Sequence, residues 1–242
     1  MNPAPRKSSL LKHINLKIDA TYFGRWGCSI VFKEGKNVIF WHFCQRETFR
    51  EYLSCFSALI NLNYAVDSVT SDKHGSTISS VRYLLPSISH QYCLVHIQNR
   101  CQSLLTKKPD TKAGTDLLEF VKFINKIPSG YEKQIFLKWF DRYEKRYASF
   151  LNERTYLVKD NGRNTWWYTH KNLRKAFVHL KSSISNMFFY LKDSNIPKDT
   201  NGLEAEFTHL KTKLNIHRGL KRNRRINFIS WYWYQKSTQN VY

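Results

Sequence analysis

The chain has 242 residues, with 39 lysines and arginines against 18 aspartates and glutamates, for a formal charge of +21. Apolar residues make up 42% and aromatics 15%, too much for a disordered basic tail, so the chain must bury a core. No stretch approaches the ~18 uninterrupted apolar residues of a membrane span, and such an excess of cations favours a polyanionic partner, either nucleic acid or an anionic membrane surface.

The opening residues, from Met1 to Ser9, are polar and lack the apolar segment of a secretory signal, so a cytoplasmic protein is expected. Five cysteines, at 28, 44, 55, 93 and 101, form an odd set without CxxC spacing, which fits reduced, mostly buried thiols rather than a disulfide framework. Ile14, Leu16 and Ile18 alternate with Asn15, Lys17 and Asp19, a period of two that predicts a half-buried strand with Asp19 on the face opposite the isoleucines. Residues 28–32 and 38–43 are β-rich runs joined through Gly35 and Asn37, which predicts an antiparallel meander. From 47 to 62 the period changes: Phe49, Tyr52, Leu53, Phe56, Leu59 and Ile60 recur at three and four, the stripe of an amphipathic helix able to cover the sheet.

A short strand is predicted over 64–71, ending at Asp72, then a helix over 75–85 closed by Pro86, a strand over 90–94 and a helix through Ile97 and Leu104. The order β-β-β-α-β-α-β-α is that of a mixed sheet with helices on its faces. From 109 to 197 the stripes Leu117-Leu118-Val121-Ile124, Ile135-Phe136-Trp139-Tyr143 and Leu173-Phe177-Leu180-Ile184 predict an all-α, basic segment. After a turn-rich loop at 197–202, residues 203–214 return to a helical period, and Phe228, Trp231, Tyr232, Trp233 and Tyr234 predict a terminal helix docked on the body.

Three carboxylates stand at the ends of predicted elements: Asp19, Asp72 and Glu204. Carboxylates meeting at strand ends have the chemistry to hold Mg²⁺, and a pair of such ions about 3.5–4 Å apart clamps the attacking and leaving oxygens of a displacement at phosphorus. Asp67 and Glu206 are neighbouring alternatives, but residues 204 and 206 differ by about 200° around a helix and do not share a face. Cys93 and His96 offer half of a zinc ligand set with no second pair to complete it, or a packing and hydrogen-bonding role. Trp166 and Trp167 offer a stacking platform for an unpaired base, or filling for the core of the basic helical segment. Lys211, Lys213, Arg218, Lys221, Arg222, Arg224 and Arg225 lie in one stretch without an acid, the pattern of a phosphate-contacting face.

The strings Asp19-Ala-Thr-Tyr, Ser71-Asp72-Lys-His-Gly75, His90-Gln-Tyr-Cys-Leu-Val-His96 and Thr200-Asn-Gly-Leu-Glu204 resemble, in order and context, the DDE transposases of bacterial insertion sequences related to the Mutator elements. The resemblance spans residues 11–233; the carboxylates are 53 and 132 residues apart, and the long second interval is similar to the family arrangement in which a helical domain precedes the last carboxylate. It implies a ribonuclease H-like mixed sheet with flanking helices, interrupted by an all-α insertion: a tail at 1–10, a first core part at 11–108, the insertion at 109–197 and a C-terminal core part at 198–242. It implies that Asp19, Asp72 and Glu204 are catalytic ligands of two Mg²⁺ ions, with Mn²⁺ able to substitute. It further implies that Cys93 and His96 form the family's short Cys/His motif, and that Lys211, about two turns beyond Glu204, meets transposon-end DNA. The implied partners are double-stranded DNA, both transposon ends and target, and further copies of the chain; no membrane is implied, and the expected location is the bacterial cytoplasm at the nucleoid. Only eighteen residues precede Asp19, so the amino-terminal DNA-binding region usual in the family is expected to be missing. The alternatives are an inactive DNA-binding remnant and a nuclease or resolvase on the same fold.

Overall fold

The computed structural model describes residues 3–158 and 164–238. Its elements run β1 (Lys12–Tyr22), β2 (Cys28–Glu34), β3 (Asn37–Cys44), α1 (Phe49–Asn61), β4 (Tyr64–Ser71), α2 (Gly75–Leu84), β5 (Ser89–Tyr92) and α3 (Leu94–Leu105). They continue with α4 (Lys112–Phe123), α5 (Gly130–Asn152), β6 (Arg154–Val158), β7 (Asn164–Tyr168), α6 (Lys171–Lys181), α7 (Asn201–Ile216) and α8 (Arg222–Thr238). By its internal contacts the chain divides into two units, Met1–Cys93 with Lys192–Tyr242, and Leu94–Leu191. Among the described residues no helix is long and apolar enough to cross a membrane.

The first unit is a mixed α/β layer built on a five-stranded sheet in the order β3-β2-β1-β4-β5. β2 runs antiparallel to both its neighbours, while β1, β4 and β5 run parallel. The turn between β2 and β3 needs a left-handed residue, which Gly35 supplies at φ +55°. One sheet face packs Ile14, Leu16, Ile18, Ile30 and Phe32 against Tyr52, Phe56 and Leu59 of α1. The other packs Val31, Val38 and Trp41 against Leu203, Phe207 and Leu210 of α7 and Ile229, Tyr232 and Trp233 of α8. Asp19 pairs with Val31 and therefore shares the α7 side, opposite the isoleucines, as the period of two requires. Between Ile14 and Asn15 the β1–β4 register shifts, and Asp67 is the extra residue on β4. It bonds His13 instead, Oδ1 to Nδ1 at 2.8 Å.

The second unit packs α3 with α6 and α4, and its interior is a ladder of rings. Phe120 meets Phe136, Phe140 and Tyr143 edge-on at 5.7–5.8 Å, and Phe140 stacks on Phe177 at 5.5 Å. Ile135 and Trp139, expected in the stripe of α5, are exposed; Phe136, Phe140 and Tyr143 carry its buried edge. The expectation of an all-α insertion is corrected: β6 and β7 form an antiparallel hairpin, Thr155 opposite Trp167 and Tyr156 opposite Trp166. The reason is local, since Thr155, Tyr156, Leu157 and Val158, like Thr165, Trp166, Trp167 and Tyr168, are residues of strand preference. Residues 159–163, between the two strands, lie outside the described residues. The unit limits also differ from the expected 108/109 and 197/198. α3 lies with the second unit because Ile97, Cys101 and Leu105 are buried there, with the Cys101 thiol donating to the Ala176 carbonyl at 3.6 Å.

Candidate active site

The site grows from the carboxyl end of β4. Ser71 pairs in parallel with Ile18, so Asp72, the next residue, leaves the sheet beside Asp19 on the neighbouring strand. Asp72 is half-buried, and its Oδ1 accepts the His74 backbone N–H at 3.2 Å, an Asx turn that ends the strand and starts α2. Asp19 is 8% exposed, and its Oδ1 accepts the Ala20 N–H at 2.8 Å. Glu204 is half-buried in the first turn of α7, where the helix dipole favours an anion by roughly 0.3–1 kcal/mol. Asp19 and Glu204 each present a carboxylate oxygen within 4.8 Å of the other.

Four hydrogen bonds hold this corner together, and sequence reasoning missed their pairing. The Cys93 N–H donates to the Ser71 carbonyl at 2.7 Å, and its thiol sulfur accepts from both the N–H and the hydroxyl of Thr200 at 3.4 Å. Thr200 is the N-cap of α7, so Cys93 anchors the turn that aims Glu204. The Lys33 ammonium, buried on β2, reaches the Gly202 carbonyl at 3.4 Å in the same first turn. Burial lowers its pKa, partly offset by the Glu206 carboxylate. A threonine four residues before Glu204 was the legible signal for the cap; nothing local pointed to Lys33. His96 sits in the first turn of α3, in the other unit.

The alternative acids have other partners. Glu206 accepts from the Tyr232 hydroxyl at 2.8 Å and the Lys236 ammonium at 3.2 Å. Burial pushes its carboxyl up, and these two bonds outweigh that and hold it below its ordinary value. Asp67 sits in the bulge half-way down β4, away from the strand's carboxyl end.

Behind Asp72, the Ser71 hydroxyl donates to the Asp72 carbonyl at 2.8 Å, which commits its proton. His90 Nε2, 2.8 Å from the Ser71 hydroxyl oxygen, is then the donor of that bond. Burial, reinforced by the Arg82 charge, lowers the His90 pKa to about 4. The unfolded chain, with an imidazole near 6.5, therefore binds the extra proton first, and stability present above pH 6.5 is lost as pH falls toward 4. Between pH 7 and 4.5 this residue is expected to cost on the order of 2 kcal/mol. Urea unfolding of wild type and His90→Gln at both pH values checks it: the variant should lose about that much less, and equal losses would rule the assignment out.

Of the seven predicted DNA-contacting cations, Lys211, Lys213, Arg218, Lys221, Arg222 and Arg224 are exposed, and among the described residues none is ion-paired. Arg225 is half-buried and differently engaged: it donates to the Leu220 carbonyl at 3.0 Å and to the Arg218 carbonyl, and its guanidinium lies 4.2 Å over the Trp26 ring. With Trp26 and Lys211 it lines a cleft of about 230 Å³. Trp166 and Trp167 stand on strand β7, not on a helix, and both are exposed rather than filling a core. Arg154 lies 4.2 Å over the Trp166 ring.

Comparison with protein-family models and with curated proteins finds no match for this chain.

Proposed function

We propose that the chain is a DDE-type DNA transposase of the Mutator-like insertion-sequence kind, cutting a DNA strand and joining the freed 3′-hydroxyl to target DNA. The observation that carries this reading is the approach of Asp19 and Glu204, 185 residues apart in the chain, to within 4.8 Å of one another at the strand end that bears Asp72. The strand order β3-β2-β1-β4-β5 with only β2 reversed is the order expected of a ribonuclease H-like sheet and supports that fold.

Carboxylate oxygens suit a hard cation, so Asp19, Asp72 and Glu204 are the residues to hold Mg²⁺ or Mn²⁺. Such ions supply activation of the attacking oxygen and stabilisation of the leaving one. The chain's own contribution is positional: the Ala20 and His74 amides orient the two aspartates, while Cys93, Thr200 and Lys33 set the start of the helix that carries Glu204. The test is nicking and strand transfer by the purified chain on duplex DNA with Mg²⁺ or Mn²⁺. DNA binding without product under either metal would leave a binding remnant and remove the catalytic claim.

The basic segment supports a phosphate-binding role through an electrostatic mismatch. Arg222, Arg224 and Arg225 stand at the start of α8, where the helix dipole is already positive and no acid is present. Cations there cost roughly 0.3–1 kcal/mol each, and a phosphate at that helix end offsets the cost. Each phosphate contact contributes about 0.9 to the slope of log affinity against log salt. Lys211→Ala with Lys213→Ala is therefore expected to flatten the slope by about 2, measured by DNA-binding titrations between 50 and 200 mM salt. An unchanged slope would mean that this face only meets solvent.

A further inference from the structure

A second group of donor atoms lies on the other side of the sheet's edge, and the transposase reading does not use it. His42 and Cys44 are two residues apart on β3, so their side chains project from the same face. Glu51 comes back onto that face from the first turn of α1. Thr48, the N-cap, accepts the Glu51 N–H at 3.3 Å, which begins a Thr-x-x-Glu capping box. The Glu51 carboxylate meets His42 Nε2 at 2.7 Å. One ligand atom each from His42, Cys44 and Glu51 lies within 4.8 Å of the other two. Cys28 is the register partner of Cys44 on β2, and the two sulfurs are 3.4 Å apart.

We propose that these residues form a zinc site, with His42 nitrogen, Cys44 sulfur and Glu51 oxygen as ligands and Cys28 sulfur as the fourth. The donor set is the evidence for the metal class: thiolate and imidazole suit Zn²⁺ and are poor ligands for Mg²⁺. Three of the four ligand atoms already lie within 4.8 Å of one another, and the Cys28 sulfur, which sits beside that of Cys44 but outside this group of three, must turn toward them to complete a tetrahedron. Two thiolates at about 2.3 Å from one ion stand about 3.8 Å apart, and imidazole and carboxylate at about 2.0–2.1 Å stand about 3.3 Å apart. Each observed pair therefore opens by about half an ångström to admit the ion. The two sulfurs are buried, whereas the His42 and Glu51 side chains are 37% and 36% exposed, which leaves an entry path from solvent. Such an ion would clamp β2, β3 and α1 together.

The test uses the full chain, reduced and stripped with a chelator, titrated with Zn²⁺ against a chromophoric competitor and separately with Co²⁺. One equivalent of Zn²⁺ is expected, with a sulfur-to-cobalt charge-transfer band. The band distinguishes this site from the carboxylates at Asp19, Asp72 and Glu204, which have no sulfur to give it, and Cys93→Ser should keep it. Cys44→Ser should remove at least half of the band's intensity, and His42→Gln, at a partly exposed position that leaves the core untouched, should weaken Zn²⁺ binding at least about tenfold. Zn²⁺ at 100 times its Kd should raise the wild-type Tm by about 5–10 °C. No uptake by the reduced chain, a Cys28–Cys44 disulfide that persists under reductant, or binding unchanged in His42→Gln would overturn the proposal.

Discussion

Replacing Glu204 by glutamine is expected to lower metal-dependent DNA cleavage by on the order of 10²–10³-fold while DNA affinity and folding stay near wild type. The side chain keeps its shape and its place in the first turn of α7, and the buried stripe of that helix, Leu203, Phe207, Leu210 and Leu214, is untouched. What is lost is one of the two carboxylates that approach within 4.8 Å. A neutral amide offers a single weak oxygen where the proposed chemistry needs charge. The basic residues proposed to meet phosphate lie further along the chain, from Lys211 onward, so binding should survive. Steady-state nicking, gel-shift affinity and far-UV dichroism on the same preparation separate the three effects. Cleavage retained within a few fold would remove Glu204 from the site, and with it the observation on which the proposed function rests.

Trp233→Ala should destabilise the fold by about 3–5 kcal/mol, the upper range for a single core truncation. The indole is fully buried against the sheet face that α7 and α8 cover. It meets Phe207 edge-on at 5.8 Å, and its Nε1–H donates to the Ser29 hydroxyl on β2 at 3.0 Å. Truncation thus removes a large apolar surface and a buried bond across two elements nearly two hundred residues apart. Urea unfolding should show a lower midpoint at an unchanged slope. Trp233→Phe should recover most of the loss, leaving about 1–2 kcal/mol for the unpaired serine. A loss under about 1 kcal/mol for alanine would mean that α8 is not integral to this core.

The two variants probe parts of the molecule that were legible to different degrees. The strand carrying Asp19, the helix over 49–61 and the helix carrying Glu204 were readable because apolar residues repeat at the period of the element. The hairpin β6–β7 was missed, although its residues are strand-forming, because the surrounding helical stripes dominated the reading. The basic stretch was read as one face, yet Arg225 turns inward onto Trp26 and two backbone carbonyls. A cation's spacing does not say whether its neighbour in space is a phosphate or a carbonyl. The His42, Cys44 and Glu51 group left no recognisable spacing, since it joins alternate positions of one strand to the first turn of the next helix.

By itself the sequence determined the charge, the apolar periods, the turn at Gly35 and the candidates at Asp19, Asp72 and Glu204, because these depend on residues within a few positions of one another. Only the tertiary structure decided which of the eighteen acids meet. Burying both sheet faces at once requires β4 beside β1 and α7 across the Asp19 face, and that arrangement brings Glu204 to Asp19 while leaving Glu206 to Tyr232 and Lys236 and Asp67 to His13. Periodicity tells each element which side to bury; the convergence of residues distant in the chain follows from how those buried sides are shared.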